Sequence, residues 1–533
     1  MAFLLYSLAL LGLANASPVM TIVTTITTSN PPDYFQTTPE IFQGPTPTGK
    51  EPFLRQTDDV QLSGVTYIPP SPLETQQPIQ GNSDDGNIFT LLGNIAPYHP
   101  SPGFGIDEHP LPEGANVTWV NMIARHGSRY PTEPIELGAA LADAKGAKFS
   151  GDLEWLNDWK YSLGTNILSS NGRQELYDNG VLHVYNYGQL FNPNQTKKLV
   201  WRTTTEDRMR KSAENFAAGF FGLNYADYVD LEFIIDEEGY NNSLSGYNVC
   251  ENNGNLRTTA GANASAAFVA NYTLPAAARL NALSTNFHWN STWIYSAQQL
   301  CSYETVNLGY SKWCALFTYE EWQDFEYSID LDFIGTFGFL SPTARAVGVG
   351  YVEEVLAKMR HHLITQATGS DNVTLDGRER TFPTHQALNF DFSHEVNIFA
   401  ALTAFGLTQF AEPFSPEEYT EDRSVVVSAM TPFAARFDIE MIEAPRPVCA
   451  DRTRGLYEEG GKTTYVHFIL NQRTIPLGQS HAACGDRDDG WCELETFMKW
   501  QAGALEEANY DYACNGDYAP PAYGDVRNGA PPS

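Results

Sequence analysis

Three stretches of the chain share one pattern of hydrophobic and polar positions. Each has a short apolar run, then a polar turn, then apolar residues at helical spacing. The runs are "NVTWVNMIA" at residues 116–124, "KKLVW" at 197–201 and "LNFDF" at 388–392. A strand, a turn and a helix repeated in this order predict an α/β fold, with a mostly parallel sheet covered by helices.

Charged and polar residues follow each apolar run directly. The first run continues into "RHGSR" at 125–129, the second into Arg202 and three threonines, and the third into Ser393-His394-Glu395. Ligands of open α/β sheets bind beyond the carboxyl ends of the strands, where the N–H groups of the following helices also point. These residues are therefore predicted to meet at one edge of the sheet.

Composition changes along the chain predict its division into parts. Residues 2–13 are apolar and precede Ala14-Asn15-Ala16, which is typical of a secretory signal peptide with its cleavage site. A membrane anchor is disfavoured, because about 12 apolar residues fall short of the roughly 20 that span a bilayer. The predicted parts are a signal peptide at 1–16, a Pro/Thr-rich arm at 17–85, an α/β domain at 86–206 and 341–518, an inserted mainly helical domain at 207–340, and a flexible tail at 519–533.

The chain is strongly acidic, with 64 Asp and Glu against 32 Lys and Arg and a net charge of -32. This balance argues against nucleic acid or an anionic membrane as a partner, and it makes a cluster of cations such as "RHGSR" notable. Seven cysteines favour disulfides in an oxidising compartment, with one thiol left over. A zinc site at His481, Cys484 and Cys492 is disfavoured against a local disulfide, since a fourth ligand is missing.

Seven Asn-x-Ser/Thr sequons agree with export and predict N-linked glycans. They lie at Asn116, Asn194, Asn241, Asn263, Asn271, Asn290 and Asn372. Together with the signal peptide and the cysteines, they predict a secreted protein, extracellular or in the cell wall.

The residues at the predicted sheet edge suit phosphoryl transfer. Arg125, Arg129 and Arg202 offer planar forks of donors to a phosphate, and their charge keeps His126 neutral and nucleophilic. His394 is a further donor. Glu395 is placed to protonate a leaving alkoxide and then to deprotonate water; fixed cations make a metal or other cofactor unnecessary.

Each motif alone is also typical of ordinary structure. A surface turn with ion pairs explains "RHGSR", a strand-end arginine explains Arg202, and a helix cap explains Ser393-His394-Glu395. Their joint occurrence favours a small-molecule phosphate monoester as the partner.

"RHGSRYPT" closely resembles the R-H-G-x-R-x-P signature of the histidine acid phosphatases, in the branch with fungal acid phosphatases and phytases. The resemblance extends from about Leu91 onward through "LVWRTTTEDRMRKSAENFAAGF", "FSHEVNI" and "LNQRTIPLG". It implies a phosphoglycerate-mutase-like α/β domain with a smaller inserted α-helical domain and the site between them. It also implies His126 as the phosphorylated nucleophile, with four residues around the phosphate: Arg125, Arg129, Arg202 and His394.

The chain departs from the family pattern in its carboxyl group and its cysteines. Most members have His-Asp where this chain has His394-Glu395, and some place a Glu two residues after the His. Ala115 stands where fungal phytases often carry a cysteine, which leaves Cys449 as the free thiol. The resemblance implies three disulfides: Cys250–Cys514, Cys301–Cys314 and Cys484–Cys492.

A third departure bears on the substrate. Fungal phytases commonly have lysines after the first motif, whereas this chain continues "EPIELGAA" at 133–140. Acidic neighbours disfavour a highly phosphorylated ring, so a broad acid phosphatase is favoured over a phytase. A phytase and a catalytically weak phosphate-binding member of the fold stay as alternatives, and an oligomer is left open. A phosphomutase is disfavoured by the signal peptide and the sequons.

Overall fold

The computed structural model describes residues 86–532. The predicted signal peptide and the predicted arm at 17–85 lie outside the described residues. Within 86–532 no helix is both long and apolar enough to cross a membrane.

Strands and α-helices alternate over residues 116–234, whereas the rest of the described chain has successive helices and then successive strands. The strands are β1 (Asn116–Arg125), β2 (Lys148–Phe149), β3 (Leu199–Thr204), β4 (Val229–Ile234), β5 (Ser284–Thr285), β6 (Leu388–Ser393), β7 (Arg436–Ala444), β8 (Thr463–Leu470), β9 (Arg473–Ile475) and β10 (Cys492–Glu493). The α-helices are α1 (Glu136–Asp143), α2 (Ser170–Tyr187), α3 (Asp207–Phe221), α4 (Ala260–Tyr272), α5 (Leu274–Ala282), α6 (Ser291–Leu308), α7 (Tyr319–Thr336), α8 (Ala344–Met359), α9 (Val373–Asp376), α10 (Glu395–Ala404), α11 (Val427–Met430), α12 (Leu494–Gln501), α13 (Ala504–Ala508) and α14 (Tyr510–Asn515).

The central sheet has eight strands in the order β10-β8-β7-β1-β6-β3-β4, with β9 paired to β8. β1, β6, β3 and β4 run parallel, whereas β7, β8, β9 and β10 extend the other side as antiparallel pairs. The predicted α/β fold, with parallel strands joined through helices, is confirmed. All three predicted strand-turn-helix units lie in its parallel part, as β1, β3–α3 and β6–α10.

The sheet continues past residue 206, where the first segment of the α/β domain was predicted to end. β4 pairs in register with β3, from Leu199 opposite Val229 to Thr204 opposite Ile234. α3 covers the same region, and its Phe216 and Phe220 pack edge-to-face against Trp201 of β3. The helices α4 to α7 follow β4, and the domain division otherwise stays a prediction.

The C-terminal segment packs on the body, in contrast to the predicted flexible tail. Gly529 N–H donates to Phe339 O at 2.8 Å, and Gly529 O accepts from Arg345 N–H at 2.9 Å. Val526 and Ala530 are buried. Backbone hydrogen bonds and small apolar side chains hold a segment whose composition alone is typical of a loop.

The structure confirms the three disulfides that the family resemblance implied. They join Cys250 to Cys514, Cys301 to Cys314, and Cys484 to Cys492. Within residues 86–532 this leaves Cys449 as a buried free thiol, as expected.

Candidate active site

The carboxyl ends of β1 and β6 bring His126 and His394 together. Arg125, the last residue of β1, lies opposite Ser393, the last residue of β6. His126 N–H donates to Ser393 O at 3.2 Å. The rings of His126 and His394 then lie 5.9 Å apart, so two motifs that are distant in sequence form one site, as predicted.

The glycine after His126 allows the loop to lie directly on the first turn of α2. A Cβ on Gly127 would stand 2.2 Å from Gly172 O, and one on Gly172 would stand 2.0 Å from Ser128 O. Ser128 N–H and Oγ–H each donate to Glu175 of α2 at 2.7 Å. This close backbone contact fixes the loop that carries the histidine.

The ring of His126 is buried and neutral. Its Nδ1 lies 2.9 Å from Gly127 O. Because a carbonyl oxygen only accepts, Nδ1 carries the proton and Nε2 keeps its lone pair. Burial, and then the charges of Arg125, Arg129 and Arg208, hold the pKa of His126 well below its usual range.

Arg125 and Arg129 lie on either side of this histidine in the loop. The fully buried Arg125 donates through Nε to Glu395 at 2.9 Å and through Nη1 to Thr431 O at 2.9 Å. Burial lowers its pKa to about 10, with Glu395 opposing the shift. Arg125 Nη2 and Arg129 Nε are buried N–H groups that lack a hydrogen-bond partner among the described residues. Unpaired buried donors beside a histidine suit an anionic ligand.

Arg208, in the first turn of α3, is a third arginine of the site that the motif interpretation missed. It is 9% exposed, pairs with Glu206 at 2.5 Å and donates through Nη1 to Asn166. Its charge contributes to the lowered pKa of His126. Its Nε, too, has no partner within the part of the chain that the structure describes. The sequence carries one signal for this residue. It stands at the start of the helix that follows β3, and the N–H groups at the start of such a helix face a ligand.

Arg202 lies elsewhere, and the prediction that it binds phosphate is wrong. It pairs in register with Asp391, two residues before the end of β6. Its guanidinium binds Asp391 at 2.8 Å, Glu354 of α8 at 2.7 Å and Asp376 of α9 at 3.7 Å. The buried carboxylates of Asp391 and Glu354 already engage its charge, so it holds β3, β6 and α8 together.

Glu395, the first residue of α10, faces the nucleophile. Its Oε2 lies 3.8 Å from His126 Nε2 and accepts from Arg125, while Oε1 accepts from Asn94 at 3.2 Å. Burial raises its pKa, but the charges of Arg125, Arg129 and His394 outweigh it and bring the pKa to about 2. The carboxyl group is therefore ionised in this arrangement.

His394 is the residue before the first turn of α10, makes no side-chain capping hydrogen bond to it, and is 4% exposed. Its Nε2 lies 3.0 Å from Asp236 Oδ2 and 3.6 Å from Glu206 Oε2. Within residues 86–532, two sets of three side chains come close enough to ligate a metal ion: His126, His394 and Glu395, and Glu206, Asp236 and His394. Arg125 pairs with Glu395 in the first set, and Arg208 pairs with Glu206 in the second. The positive charge of these arginines opposes the binding of a metal ion.

The sequence matches a family model over residues 116–471, which include the whole loop and β6. That model describes the histidine phosphatase superfamily, branch 2. The chain belongs to this family. As a histidine phosphatase of this branch, it is a phosphoric monoester hydrolase.

Similar proteins align with most of this histidine phosphatase. Phytase A of Aspergillus oryzae is 29% identical over 471 residues, covering 82% of this chain and 94% of that protein. Phytase A of Neurospora crassa is 26% identical over 504 residues, covering 84% and 96%. The crystal structure of the phytase from D. castellii shares the fold, with a TM-score of 0.63 and 21% identity over 82% of this chain and 89% of that one.

Proposed function

We propose that the protein is a secreted acid phosphatase that hydrolyses small phosphate monoesters through a phosphohistidine on His126. The observation that carries this proposal is a buried, neutral imidazole whose Nε2 lone pair lies among arginines. Arg125, Arg129 and Arg208 each keep one buried N–H without a partner among the described residues. A phosphoryl group needs this combination of a nucleophile and several fixed cations.

In the first step, His126 Nε2 attacks phosphorus in line with the ester oxygen. The N–P bond forms as the P–O bond to the alcohol breaks. The three arginines bind the equatorial oxygens, and His394 adds a further donor. Nδ1–H stays on Gly127 O, which orients the ring and stabilises the charge it acquires.

Glu395 supplies the proton for the leaving oxygen. Its pKa of about 2 is set by the arginines and His394. A bound phosphate neutralises those cations and adds negative charge nearby, and both effects raise the pKa of the carboxyl group. The protonated group gives its proton to the leaving alcohol. As a carboxylate it then takes a proton from water, which attacks phosphorus and restores His126 with release of inorganic phosphate.

The surroundings of the site favour simple monoesters over a highly phosphorylated ring. Residues 130–144, which follow the loop, contain no Lys or Arg, and Glu133 and Glu136 are exposed there. Glu206 adds a carboxylate beside Arg208 and His394. Negative charge at these places repels the outer phosphates of a polyphosphorylated substrate. The second candidate function is a phytase, myo-inositol hexakisphosphate phosphohydrolase, which the names of the similar fungal proteins favour.

Secretion and glycosylation belong to the same proposal. Three disulfides suit an oxidising compartment. Every sequon asparagine is exposed except Asn372, which is half-buried. Glycans at the exposed positions need no rearrangement of the core.

The test is a release assay for inorganic phosphate on p-nitrophenyl phosphate and on phytate, run side by side at acid pH. The proposal expects faster turnover of the simple monoester and no turnover by His126→Ala. His109→Ala, which changes an exposed histidine, is the matched control. A higher kcat/KM on phytate would select the phytase, and normal turnover by His126→Ala would refute the mechanism.

A further inference from the structure

The glycine after the nucleophile is a flexible joint between two peptide groups on which the site depends. Glycine has the widest choice of backbone conformation of all residues, so Gly127 does not hold these groups by itself. The first group contains His126 O and Gly127 N–H. The second contains Gly127 O, which accepts from His126 Nδ1–H at 2.9 Å and so orients the imidazole. The orientation of the nucleophile therefore depends on contacts that fix both groups.

Hydrogen bonds hold the first peptide group at both ends. Its carbonyl oxygen, His126 O, accepts from Ala434 N–H at 2.9 Å. Its N–H, on Gly127, donates to Ser212 Oγ of α3 at 3.2 Å. The N–H of the second group donates to Glu175 of α2 at 2.7 Å. Two side chains from two helices, those of Ser212 and Glu175, thus hold one peptide group each.

The hydroxyl group of Ser212 is suited to accept this hydrogen bond. Ser212 is fully buried, on the face of α3 that packs into the core. Its hydroxyl has a single hydrogen, which it donates to Arg208 O at 2.7 Å, so the same oxygen can only accept from Gly127 N–H. Among the described residues, Gly127 N–H has no other hydrogen-bond partner. A buried N–H that loses its acceptor is destabilising, so removal of this oxygen should let the loop shift.

We propose that Ser212 is a positioning residue that fixes the peptide group between His126 and Gly127 and thereby the direction of the nucleophile. This inference rests on the proposed function, in which His126 attacks phosphorus. Both hydrogen bonds of the Ser212 hydroxyl are made with main-chain groups, Gly127 N–H and Arg208 O. The residue therefore acts through the backbone of the loop and not on the phosphate.

This role predicts a change in the rate of chemistry without a change in phosphate binding. The guanidinium of Arg208 is held by Glu206 and Asn166, so it stays in place when the hydroxyl of Ser212 is removed. In-line attack by His126 is more sensitive, because a displaced nucleophile loses rate even when the phosphate is bound. The effect should therefore be found in kcat and not in the affinity for phosphate.

Ser212→Ala removes the acceptor and keeps a good helix-forming residue in α3. On p-nitrophenyl phosphate its kcat is expected to fall about tenfold, and the rate of phosphohistidine formation in a rapid-quench experiment should fall by the same factor. The Ki of inorganic phosphate should stay within about twofold of wild type, because the arginines that bind it are unchanged. Ser212→Thr keeps the oxygen and is expected to recover kcat to within about threefold of wild type.

Ser284→Ala is the matched control. The hydroxyl of Ser284 has the same pattern of hydrogen bonds: it donates to Leu280 O, four residues earlier, at 2.9 Å and accepts from Trp289 Nε1–H at 2.9 Å. Ser284 lies in β5, which pairs with β2 outside the central sheet. Loss of this hydroxyl should leave kcat and the Ki of phosphate unchanged.

Three results would overturn the inference: wild-type kcat in Ser212→Ala, a kcat and a Ki that worsen by equal factors, as a merely structural role would produce, or a Ser212→Thr variant no faster than Ser212→Ala. If Ser212→Ala does not fold, Ser212→Cys carries the test, because sulfur is a weaker acceptor of similar size. Its kcat should fall about threefold at an unchanged Ki, and wild-type kcat would again overturn the inference. A wild-type protein that is inactive, or that turns over without a phosphohistidine, would refute the proposed function instead, which separates the two failures.

Discussion

Arg202 in β3 and Arg208 in the first turn of α3 have opposite expected roles, and substitution of each by methionine separates these roles. Arg202→Met removes the cation from a buried group of acidic side chains: Asp391 at 2.8 Å, Glu354 at 2.7 Å and Asp376 at 3.7 Å. Lys358, 3.5 Å from Asp391, is left as the neighbouring cation. Breaking a buried ion pair by removing one partner costs about 3–5 kcal/mol.

That cost predicts a loss of stability without a loss of chemistry. At about 1 °C of Tm for each kcal/mol in a body of this size, Arg202→Met should lower Tm by about 3–5 °C at neutral pH. The loss should shrink in acid, where the unpaired carboxylates take up protons. At 25 °C its kcat/KM on p-nitrophenyl phosphate should stay within about threefold of wild type, because Arg202 contacts none of the groups around His126.

Arg208→Met should show the reverse. Removing one fixed donor that stabilises transition-state charge costs about 10²–10³-fold in rate. The Tm should change little, since the partners of Arg208 are the half-buried Glu206 and the exposed Asn166. Arg210→Met is the matched control: its guanidinium is 54% exposed and pairs with Glu214 on the surface, so neither quantity should change.

The assay is differential scanning fluorimetry combined with steady-state kinetics on the same preparations. A hundredfold loss of kcat/KM in Arg202→Met at an unchanged Tm would refute the reasoning. So would full activity in Arg208→Met.

Three further predictions concern the loop, the proton donor and the pH dependence of stability. Gly127→Ala should lower kcat at least tenfold and also lower Tm, because its Cβ would stand 2.2 Å from Gly172 O; wild-type kinetics would contradict the packing. Glu395→Gln should slow an alkyl phosphate about a hundredfold and p-nitrophenyl phosphate much less, since p-nitrophenolate leaves without a proton; equal losses would argue against a donor. Burial, then Glu354, raises the pKa of Asp376 from 3.8 to about 9, so the folded state holds the extra proton between these values. The stabilisation that this group contributes is complete below about pH 4 and is lost as pH rises toward 9, so Tm should drop from pH 5 to pH 8. Asp376→Asn should make this drop smaller, and an unchanged dependence of Tm on pH would contradict the prediction.

Much of the site could be predicted from the sequence because its residues follow strand ends. Arg125, His126 and Arg129 stand after β1, and His394 and Glu395 stand after β6. Parallel pairing of these strands brings them together. The resemblance to a known signature supports the same residues.

The error at Arg202 has a physical cause. The apolar run "KKLVW" ends at residue 201, but β3 continues to Thr204, and Arg202 is a buried strand residue. A buried charge is tolerated only with partners, and those partners lie on α8, α9 and β6, far away in sequence. No local pattern marks such a pairing. Asp236 was missed for the same reason, since only the fold brings the loop after β4 to His394.

The central claim is that His126 forms a covalent bond to phosphorus, and trapping that intermediate tests it most directly. The enzyme is mixed rapidly with ³²P-labelled p-nitrophenyl phosphate, quenched in alkali, where phosphohistidine survives, and mapped by peptide mass spectrometry. The account predicts an acid-labile label on the peptide that contains His126, at Nε2, and no label in His126→Ala. Turnover without a labelled peptide, or a label on another residue, would contradict it.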